Sequence, residues 1–232
     1  NDQISQDHMD IASSLQKVFE EIYFQMILDN CNQYPNIENL CLSGGCALNS
    51  LANGKLKKIT KKNIFIQPNA GDAGGAMGAA LFLANKLSKN KNKNKTKVYF
   101  DPFLGPSFSS KEVQTALNKY DLKNYQIDNE SNFENYSMKV AKLISEKKII
   151  GWFQGKMEWG PRALGSRSII ADPSIKNIKK ILNKKIRYRE TFRPFAPVVL
   201  EEFKDNYFDL EYPSPYMLNV VKTKEKYKKL IP

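Results

Sequence analysis

The sequence predicts an α/β protein made of two modules, and three observations support this prediction. Short apolar runs at 39–43 and 63–66 have the composition of buried strands, and each precedes a glycine-containing turn and a helical pattern. This repetition of strand, turn and helix is typical of an α/β layer. A tract of alternating Lys and Asn at 88–97 has the composition of a solvated linker. We therefore place one module at 1–97 and the other at 98–232.

The first module should begin with a long helix, because apolar side chains recur there at helical spacing. They form one stripe that we expect to face a core. The stripe consists of Ile11, Leu15, Val18, Phe19, Ile22 and Met26. The strand at 39–43 then enters Gly44-Gly45, and a helix should follow over 47–56. The second strand, 63–66, should lead to a helix over 73–87 that is rich in Ala and Gly.

Two helices are predicted at the start of the second module. Ser109 is followed three residues later by Glu112, which is the spacing of a helix capping box. Apolar residues at helical spacing between 133 and 143 indicate the second helix.

The rest of the second module should alternate strands and helices. The run at 149–153 predicts a buried strand that reaches a glycine turn at Gly155. A helix should open at Pro173-Ser174, with isoleucines on one side. We also predict a strand over 195–200, where the prolines suit a strand start or an edge position.

Composition excludes several classes of protein. No apolar run approaches the length needed to span a bilayer, so we expect no membrane partner. The three cysteines lack paired spacing, which favours reduced thiols in the cytoplasm over a disulfide framework or a zinc site. His8 is the only histidine, so the sequence cannot supply a two-histidine metal site by itself. The formal net charge of +12 indicates an anionic partner, which could be nucleic acid, an acidic surface or a phosphate-bearing substrate.

Gly44-Gly45 lies between a predicted strand and a predicted helix. Paired glycines there allow the backbone to approach a phosphate or nucleoside, with helix N–H groups directed at it. Asn49 and Asn53 should share one helical face, where an amide can read a purine or a ribose. The alternative is that the glycines are needed only for packing of the turn.

Asp72 should stand at the beginning of the helix that contains Gly74 and Gly78. A carboxylate in that position can act as a helix cap, which stabilises by about 1 kcal/mol. It can also act as a metal or phosphate-site carboxylate at a strand–helix junction. Both interpretations of Asp72 remain open from spacing alone.

Arginines concentrate in two stiff segments, GKMEWGPRALGSRS at 155–168 and RYRETFRPFAP at 187–197. Glycines and prolines fix the backbone around Arg162, and Pro194 follows Arg193 directly. Guanidinium groups held in rigid loops suit bidentate recognition of phosphate or carboxylate. The alternative is that these arginines only pair with Glu158 and Glu190 at the surface.

Together, five segments resemble the family of nodulation-type and antibiotic-tailoring O-carbamoyltransferases. They follow the order and approximate spacing of that family over nearly the whole chain, and the pattern from GPRALG to FRPFAP is the most specific part. The segments are SGGCALNSLANGKL, PNAGDAGGAMGAAL, FLGPSF, GWFQGKMEWGPRALGSRSIIADP and RYRETFRPFAPVVL.

The resemblance implies the second half of an ASKHA-type domain (the superfamily of actin, Hsp70 and sugar kinases) followed by a YrdC-like domain. In such enzymes the YrdC-like module makes carbamoyl adenylate from carbamoyl phosphate and ATP. The ASKHA-type module then transfers the carbamoyl group to the hydroxyl of a small acceptor. Arg162 and Arg193 are accordingly the expected catalytic residues, and Asp72 is the expected ligand of a ferrous ion together with two histidines. The expected nucleotide-site residues are Gly44, Gly45, Asn49, Asn53, Lys156 and Arg167.

The sequence departs from the family pattern in several places. Lys156 stands where the family usually has Arg, which keeps the charge but loses the bidentate fork. The H-x-x-x-H metal motif of the family is absent, and the sequence begins at Asn1 without Met or signal peptide. We therefore expect a segment of a longer enzyme, inactive alone, whose partner is the preceding half of the same polypeptide.

Two other functions fit parts of the sequence. A basic nucleic-acid-binding module agrees with the net charge, but the basic excess lies in a Lys/Asn tract without aromatic residues for stacking. A kinase-like phosphotransferase would leave GPRALG and FRPFAP without a role. Oligomeric state stays open, and a homodimer is compatible with the sequence.

Overall fold

The computed structural model describes residues 4–87, 100–120, 128 and 130–231. The chain forms two compact units, and a short segment near its C-terminal end returns to the first. The first unit comprises Asn1–Lys93 and Leu218–Val221, and the second comprises Asn94–Met217 and Lys222–Pro232. The predicted linker at 88–97 lies outside the described residues, so the boundary at 97 stays a prediction.

The first unit follows the predicted order of strand, turn and helix. Its elements are α1 (Gln6–Gln33), β1 (Asn39–Leu42), α2 (Ser50–Thr60), β2 (Asn63–Ile66) and α3 (Gly74–Leu87). β1 and β2 pair in parallel, with Asn39 opposite Asn63 and Leu42 opposite Ile66. Because parallel strands cannot be joined by a tight hairpin, α2 serves as the crossover between them.

The core of the first unit lies between α1, α2 and the two strands. Tyr23 and Ile27 of α1 are 6% and 3% exposed, and they cluster with Ala52 and Leu56 of α2, which are fully buried. Phe19 packs at the edge of this cluster. The residues of α1 that face the core therefore follow a file of i, i+4 spacing.

The prediction that the whole apolar stripe of α1 faces a core is wrong for most of its members. Only Phe19 packs against the buried cluster, whereas the other five side chains are at least half exposed. Val18, Ile22 and Met26 lie one residue before Phe19, Tyr23 and Ile27, which rotates them about 100° around the helix axis. Ile11 and Leu15 continue the file of Phe19 towards the start of α1, beyond the buried cluster. These five exposed residues are Ile11, Leu15, Val18, Ile22 and Met26.

The second unit contains the remaining elements. They are α4 (Ser110–Leu117), α5 (Phe133–Ser145), β3 (Ile150–Phe153), β4 (Arg167–Ile170), α6 (Ile178–Ile181) and α7 (Lys204–Tyr207). β3 and β4 pair antiparallel, with Ile150 opposite Ile170 and Phe153 opposite Arg167. The ring of Trp152 on β3 packs against Phe133 and Tyr136 of α5, at centroid distances of 6.5 and 5.8 Å. The α/β prediction is thus confirmed, while the ASKHA-type and YrdC-like assignments stay expectations.

The capping box at the start of α4 is confirmed. The Ser109 hydroxyl accepts from the Glu112 backbone N–H at 3.3 Å, and the Glu112 carboxylate accepts from the Ser109 backbone N–H at 2.8 Å. This reciprocal pair satisfies two N–H groups that a helix start leaves free.

Two predictions for the second unit require correction. The helix expected from Pro173-Ser174 begins only at Ile178, after Asn177 in a left-handed conformation with φ 65°. It continues as a π-helical turn over Leu182–Ile186. The strand expected over 195–200 is irregular backbone, because Pro197 cannot donate a ladder hydrogen bond and no strand pairs with it in the described part of the chain.

None of the described helices combines the length and the apolar character that crossing a bilayer requires.

Candidate functional site

The Gly44-Gly45 turn links β1 to a short 3-10 helix over Gly45–Leu48. Gly44 has φ 98°, a left-handed value that disfavours any side chain, and its N–H donates to the Ala70 carbonyl at 2.7 Å. A Cβ atom at either glycine would meet no described atom within 4 Å. Glycine at 44 is therefore required by backbone conformation rather than by close packing, and the turn has an open side.

Asn49 and Asn53 both fix the beginning of α2. Asn49 is the N-cap, and its Oδ1 accepts from the Ala52 N–H at 3.1 Å. It also exchanges amide hydrogen bonds with Gln16 of α1, at 2.9 and 3.3 Å. Asn49 thus precedes the helix instead of sharing a helical face with Asn53.

Asn53 is 1% exposed. Its Nδ2 donates to the carbonyls of Ala47 and Leu218, at 2.8 and 3.1 Å, whereas its buried Oδ1 has no hydrogen-bond partner in the structure described. The amide nitrogen therefore holds the Leu218–Val221 segment to the first unit. A nucleotide contact by Asn53 stays a prediction.

Asp72 lies exposed in the turn before α3. Its backbone carbonyl accepts from the Gly75 N–H at 3.0 Å, but its carboxylate makes no hydrogen bond or ion pair within the described chain. No group of three or more His, Cys, Asp and Glu side chains among the described residues is arranged to hold a metal ion. The residues present therefore do not form an iron site by themselves, although Asp72 is free to contribute one ligand.

Glu158 organises the loop at 155–168, although the sequence indicates only a surface partner for arginine at this position. Its side chain is 0% exposed. Oε1 accepts from the backbone N–H groups of Leu164, Ser166 and Arg167, at 2.8, 2.7 and 3.3 Å. Oε2 accepts from Arg167 Nε at 3.0 Å. A single buried carboxylate therefore fixes the path of the chain on both sides of Gly165.

The FLGPSF segment at 103–108, together with Pro102 directly before it, supports the same loop. The Gly105 N–H donates to the Met157 carbonyl at 2.9 Å, and the Met157 N–H donates to the Pro106 carbonyl at 3.0 Å. The Trp159 N–H donates to the Pro102 carbonyl at 2.6 Å. The sequence did not predict this contact, because Gly105 and Met157 are 52 positions apart in the chain.

Arg162 lies between Gly160 and Gly165, whose φ values are 120° and 116°. Its side chain is partly buried, and Nε is buried without a hydrogen-bond acceptor within the described residues. An unsatisfied buried donor costs about 1–3 kcal/mol. The loop thus holds a guanidinium group that lacks a protein partner for one of its donors.

Arg167 and Lys156 occupy different positions on the same loop. The guanidinium group of Arg167 is engaged by Glu158 and by the Gly160 carbonyl, at 3.0 and 3.2 Å. Lys156 is exposed and follows Gly155, which has φ 61°. Arg167 therefore has a structural role in this loop, and Lys156 is free to reach an anion.

Arg193 lies on the other arginine segment. Its side chain is 54% exposed and approaches Glu190 at 3.8 Å, which is a long contact for an ion pair. Exposed pairs of this kind contribute little to stability. Arg162 and Arg193 share no hydrogen-bond or ion-pair partner in the part of the chain that is described, so their convergence on one anion stays a prediction.

The buried carboxylate gives stability a specific dependence on pH. Burial acts to raise the pKa of Glu158, but four backbone N–H groups, those of Leu164, Glu158 itself, Ser166 and Arg167, outweigh it and hold the pKa below the ordinary value of 4.5. A carboxyl whose folded-state pKa is lowered stabilises the protein above its unfolded pKa and loses this contribution as the pH falls through the folded pKa.

We therefore expect the difference in unfolding free energy between wild type and Glu158→Gln to be largest at neutral pH and to shrink below about pH 4.5. Urea titrations at several pH values measure this difference. A difference that stays constant down to pH 3 would show that the charge of Glu158 does not contribute.

Comparisons with known proteins agree with the family resemblance. Residues 1–81 match the family described as Carbamoyltransferase N-terminus, and residues 141–232 match the family described as Carbamoyltransferase C-terminus. The two matched regions keep their order along the chain.

Three curated relatives are similar over almost the full chain. The uncharacterized protein sll1178 of Synechocystis is 45% identical over 228 residues, which are 96% of this chain and 36% of the relative. The nodulation protein NolNO of Sinorhizobium fredii is 37% identical over 98% of this chain and 33% of its own length. NolO of Bradyrhizobium diazoefficiens is 35% identical over 95% of this chain and 40% of its own length. The chain thus spans little more than a third of the length of these relatives.

Proposed function

This chain belongs to the carbamoyltransferase family, and we propose that it forms part of an ATP-dependent O-carbamoyltransferase. In the proposed reaction, the carbamoyl group of carbamoyl phosphate becomes attached to the α-phosphate of ATP, and pyrophosphate leaves. Water first displaces phosphate from carbamoyl phosphate, and an oxygen of the resulting carbamate forms the new bond to the α-phosphate. The carbamoyl group then passes from the adenylate to an acceptor hydroxyl, and AMP leaves.

The observation that supports this proposal most directly is the environment of Arg162. Its Nε is a buried donor without an acceptor in the described structure, and the loop around it is anchored by the fully buried Glu158 carboxylate. A phosphate oxygen would supply the missing acceptor. Because the donor is already fixed, it would stabilise charge that develops on the phosphates during adenylation without reorganisation of the loop.

Other residues have supporting roles in the proposal. Arg193 and Lys156 are exposed cations of the same unit and would neutralise phosphate groups. The open side of the Gly44-Gly45 turn would receive a nucleotide during transfer to the acceptor. The described residues do not assemble a metal site, so the proposal gives iron no role in these steps.

The test is Arg162→Ala in the complete open reading frame that contains this chain. We expect carbamoyl-phosphate-dependent exchange between ATP and labelled pyrophosphate to fall by about 100-fold or more, as on removal of a charge-stabilising donor from other active sites. The unfolding midpoint should not fall, because the substitution removes a buried donor that has no acceptor among the described residues.

Lys111→Ala is the matched control, because Lys111 is an exposed cation on α4 of the same unit. It should leave the exchange rate unchanged. Normal exchange in Arg162→Ala would remove this residue from the mechanism, and absence of exchange in the wild type would contradict the adenylation step itself.

A further inference from the structure

The loop from Arg187 to Arg193 is built on one buried amide. Asn183, in the π-helical turn, is 0% exposed. Its Nδ2 donates to the carbonyls of Thr191 and Arg193 at 3.3 and 2.9 Å, and its Oδ1 accepts from Arg189 Nε at 2.6 Å. The Asn183 carbonyl also accepts from the Arg189 N–H at 3.0 Å. This side chain therefore ties the two halves of the loop together.

Arg189 completes the support of the loop from within. Its guanidinium group donates to the Pro194 carbonyl at 3.3 Å and lies 4.6 Å from the ring centroid of Phe195. Desolvation lowers the pKa of Arg189, and the positive charges of Arg187 and Arg193 lower it further. Arg187 and Arg193 are exposed, so the loop carries two further cationic groups near the partly buried Arg189, and Arg193 lies 3.8 Å from Glu190.

Tyr188, between Arg187 and Arg189 in the sequence, has an unusual backbone conformation. Its φ is 47°, in the left-handed region that aromatic residues rarely adopt, and its side chain is 85% exposed. Its neighbours Arg187 and Arg189 are tied by backbone hydrogen bonds to Leu182 and Asn183, at 2.9 and 3.0 Å. The fold therefore maintains a strained backbone in order to hold an aromatic ring outward, and strain of this kind is concentrated at ligand sites.

We propose that Tyr188 is a stacking platform for the base of a nucleotide whose phosphates contact Arg187 and Arg193. This inference rests on the proposed ATP-dependent function and adds a base-recognition residue to it. A purine ring stacks on an exposed tyrosine, and guanidinium groups bind phosphate oxygens, so the aromatic and cationic groups of the loop match the two ends of one ligand.

The arrangement favours a mononucleotide over a nucleic-acid strand. Single-stranded RNA is bound by several aromatic residues that stack successive bases along a basic groove. Here the exposed rings are Tyr188, at 85%, and Phe192, at 61%; both lie between Arg187 and Arg193 in the sequence, and of the two only Tyr188 has a left-handed backbone. A compact ligand that carries one base and a short polyphosphate uses these groups together.

The experiment measures the ATP dependence of pyrophosphate exchange in the complete open reading frame. Tyr188→Ala should raise the KM for ATP about tenfold or more, since loss of stacking weakens base binding by that order. The kcat should change little, because base stacking is the same in the ground state and the transition state. Tyr188→Phe should behave like the wild type.

Two further variants separate binding from folding. Tyr188→Gly should lose affinity for ATP as Tyr188→Ala does, yet unfold at the wild-type temperature or above it, because glycine accepts φ 47° without strain. Tyr120→Ala removes another tyrosine of the second unit, 70% exposed, and should leave the KM for ATP unchanged.

The outcomes distinguish this inference from the proposed function. Normal exchange with an unchanged KM in Tyr188→Ala would overturn the inference alone, whereas a wild type without exchange would overturn both. An unchanged KM with weaker binding of single-stranded RNA would assign the ring to nucleic acid. An unchanged KM with an altered oligomeric state in light scattering would assign it to a contact between copies.

Discussion

Glu158→Ala should lower the free energy of unfolding of the second unit by about 3 kcal/mol or more. The wild-type carboxylate is 0% exposed and receives hydrogen bonds from three backbone N–H groups and from Arg167 Nε. Alanine leaves these donors without an acceptor and leaves Arg167 beside an empty space. Chemical denaturation followed by tryptophan fluorescence measures the loss, because Trp159 adjoins the substituted residue.

Two variants test the cause of that loss. Glu158→Gln keeps the shape and one acceptor oxygen but removes the charge, so its loss should be clearly smaller. Glu202→Ala removes an exposed carboxylate of the same unit and should change stability by no more than about 0.5 kcal/mol. If Glu158→Ala were as stable as Glu202→Ala, the carboxylate would not organise the loop.

The second large effect is expected for Gly54→Ala. In an ordinary exposed helix this substitution stabilises by up to about 1 kcal/mol. A Cβ atom at Gly54, however, would overlap the Val220 carbonyl oxygen and lie 2.9 Å from the carbonyl carbon. We expect a loss of about 1–3 kcal/mol, as for other overpacked sites.

The displaced group is backbone, so the helix and the Leu218–Val221 segment must separate. Hydrogen exchange should therefore accelerate at the Val220 N–H, which donates to the Ser50 carbonyl at 2.9 Å. Gly75→Ala in α3 is the matched control, because a Cβ there meets no described atom within 4 Å, and it should stabilise slightly. Equal effects of Gly54→Ala and Gly75→Ala would contradict the close approach of Val220.

The local order of the first unit could be predicted from sequence because its signals are local. The run at 63–66 became β2 with the predicted bounds, and the Ala/Gly-rich segment became α3 within one residue of its predicted start. Apolar spacing on α1 predicted the helix but not its buried face, since Tyr23 and Ile27 were left out of the stripe. Which face of an apolar helix is buried depends on partners distant in sequence.

The candidate site was predictable only in part for the same reason. The constrained backbone around Arg162 could be predicted, because Gly160, Pro161 and Gly165 are close to it in the sequence. The role of Glu158 depends on N–H groups six to nine residues further on, in a loop of irregular conformation. The available signal in the sequence was an acidic residue between Met157 and Trp159, in a segment rich in glycine. The left-handed backbone of Tyr188 had no such signal.

The return of Leu218–Val221 to the first unit has a consequence for synthesis of the protein. Residues near the end of this chain complete the surroundings of α2, so the first unit cannot finish folding when its own helices leave the ribosome. Until Leu218 and Val220 emerge, the Asn53 amide lacks one of its two carbonyl partners. The face of α2 at Gly54, which the Val220 backbone covers in the folded unit, is then open to water. Translation proceeds at about 5–20 residues per second, so this unfinished state lasts for seconds, a period in which chaperones and proteases have access to it.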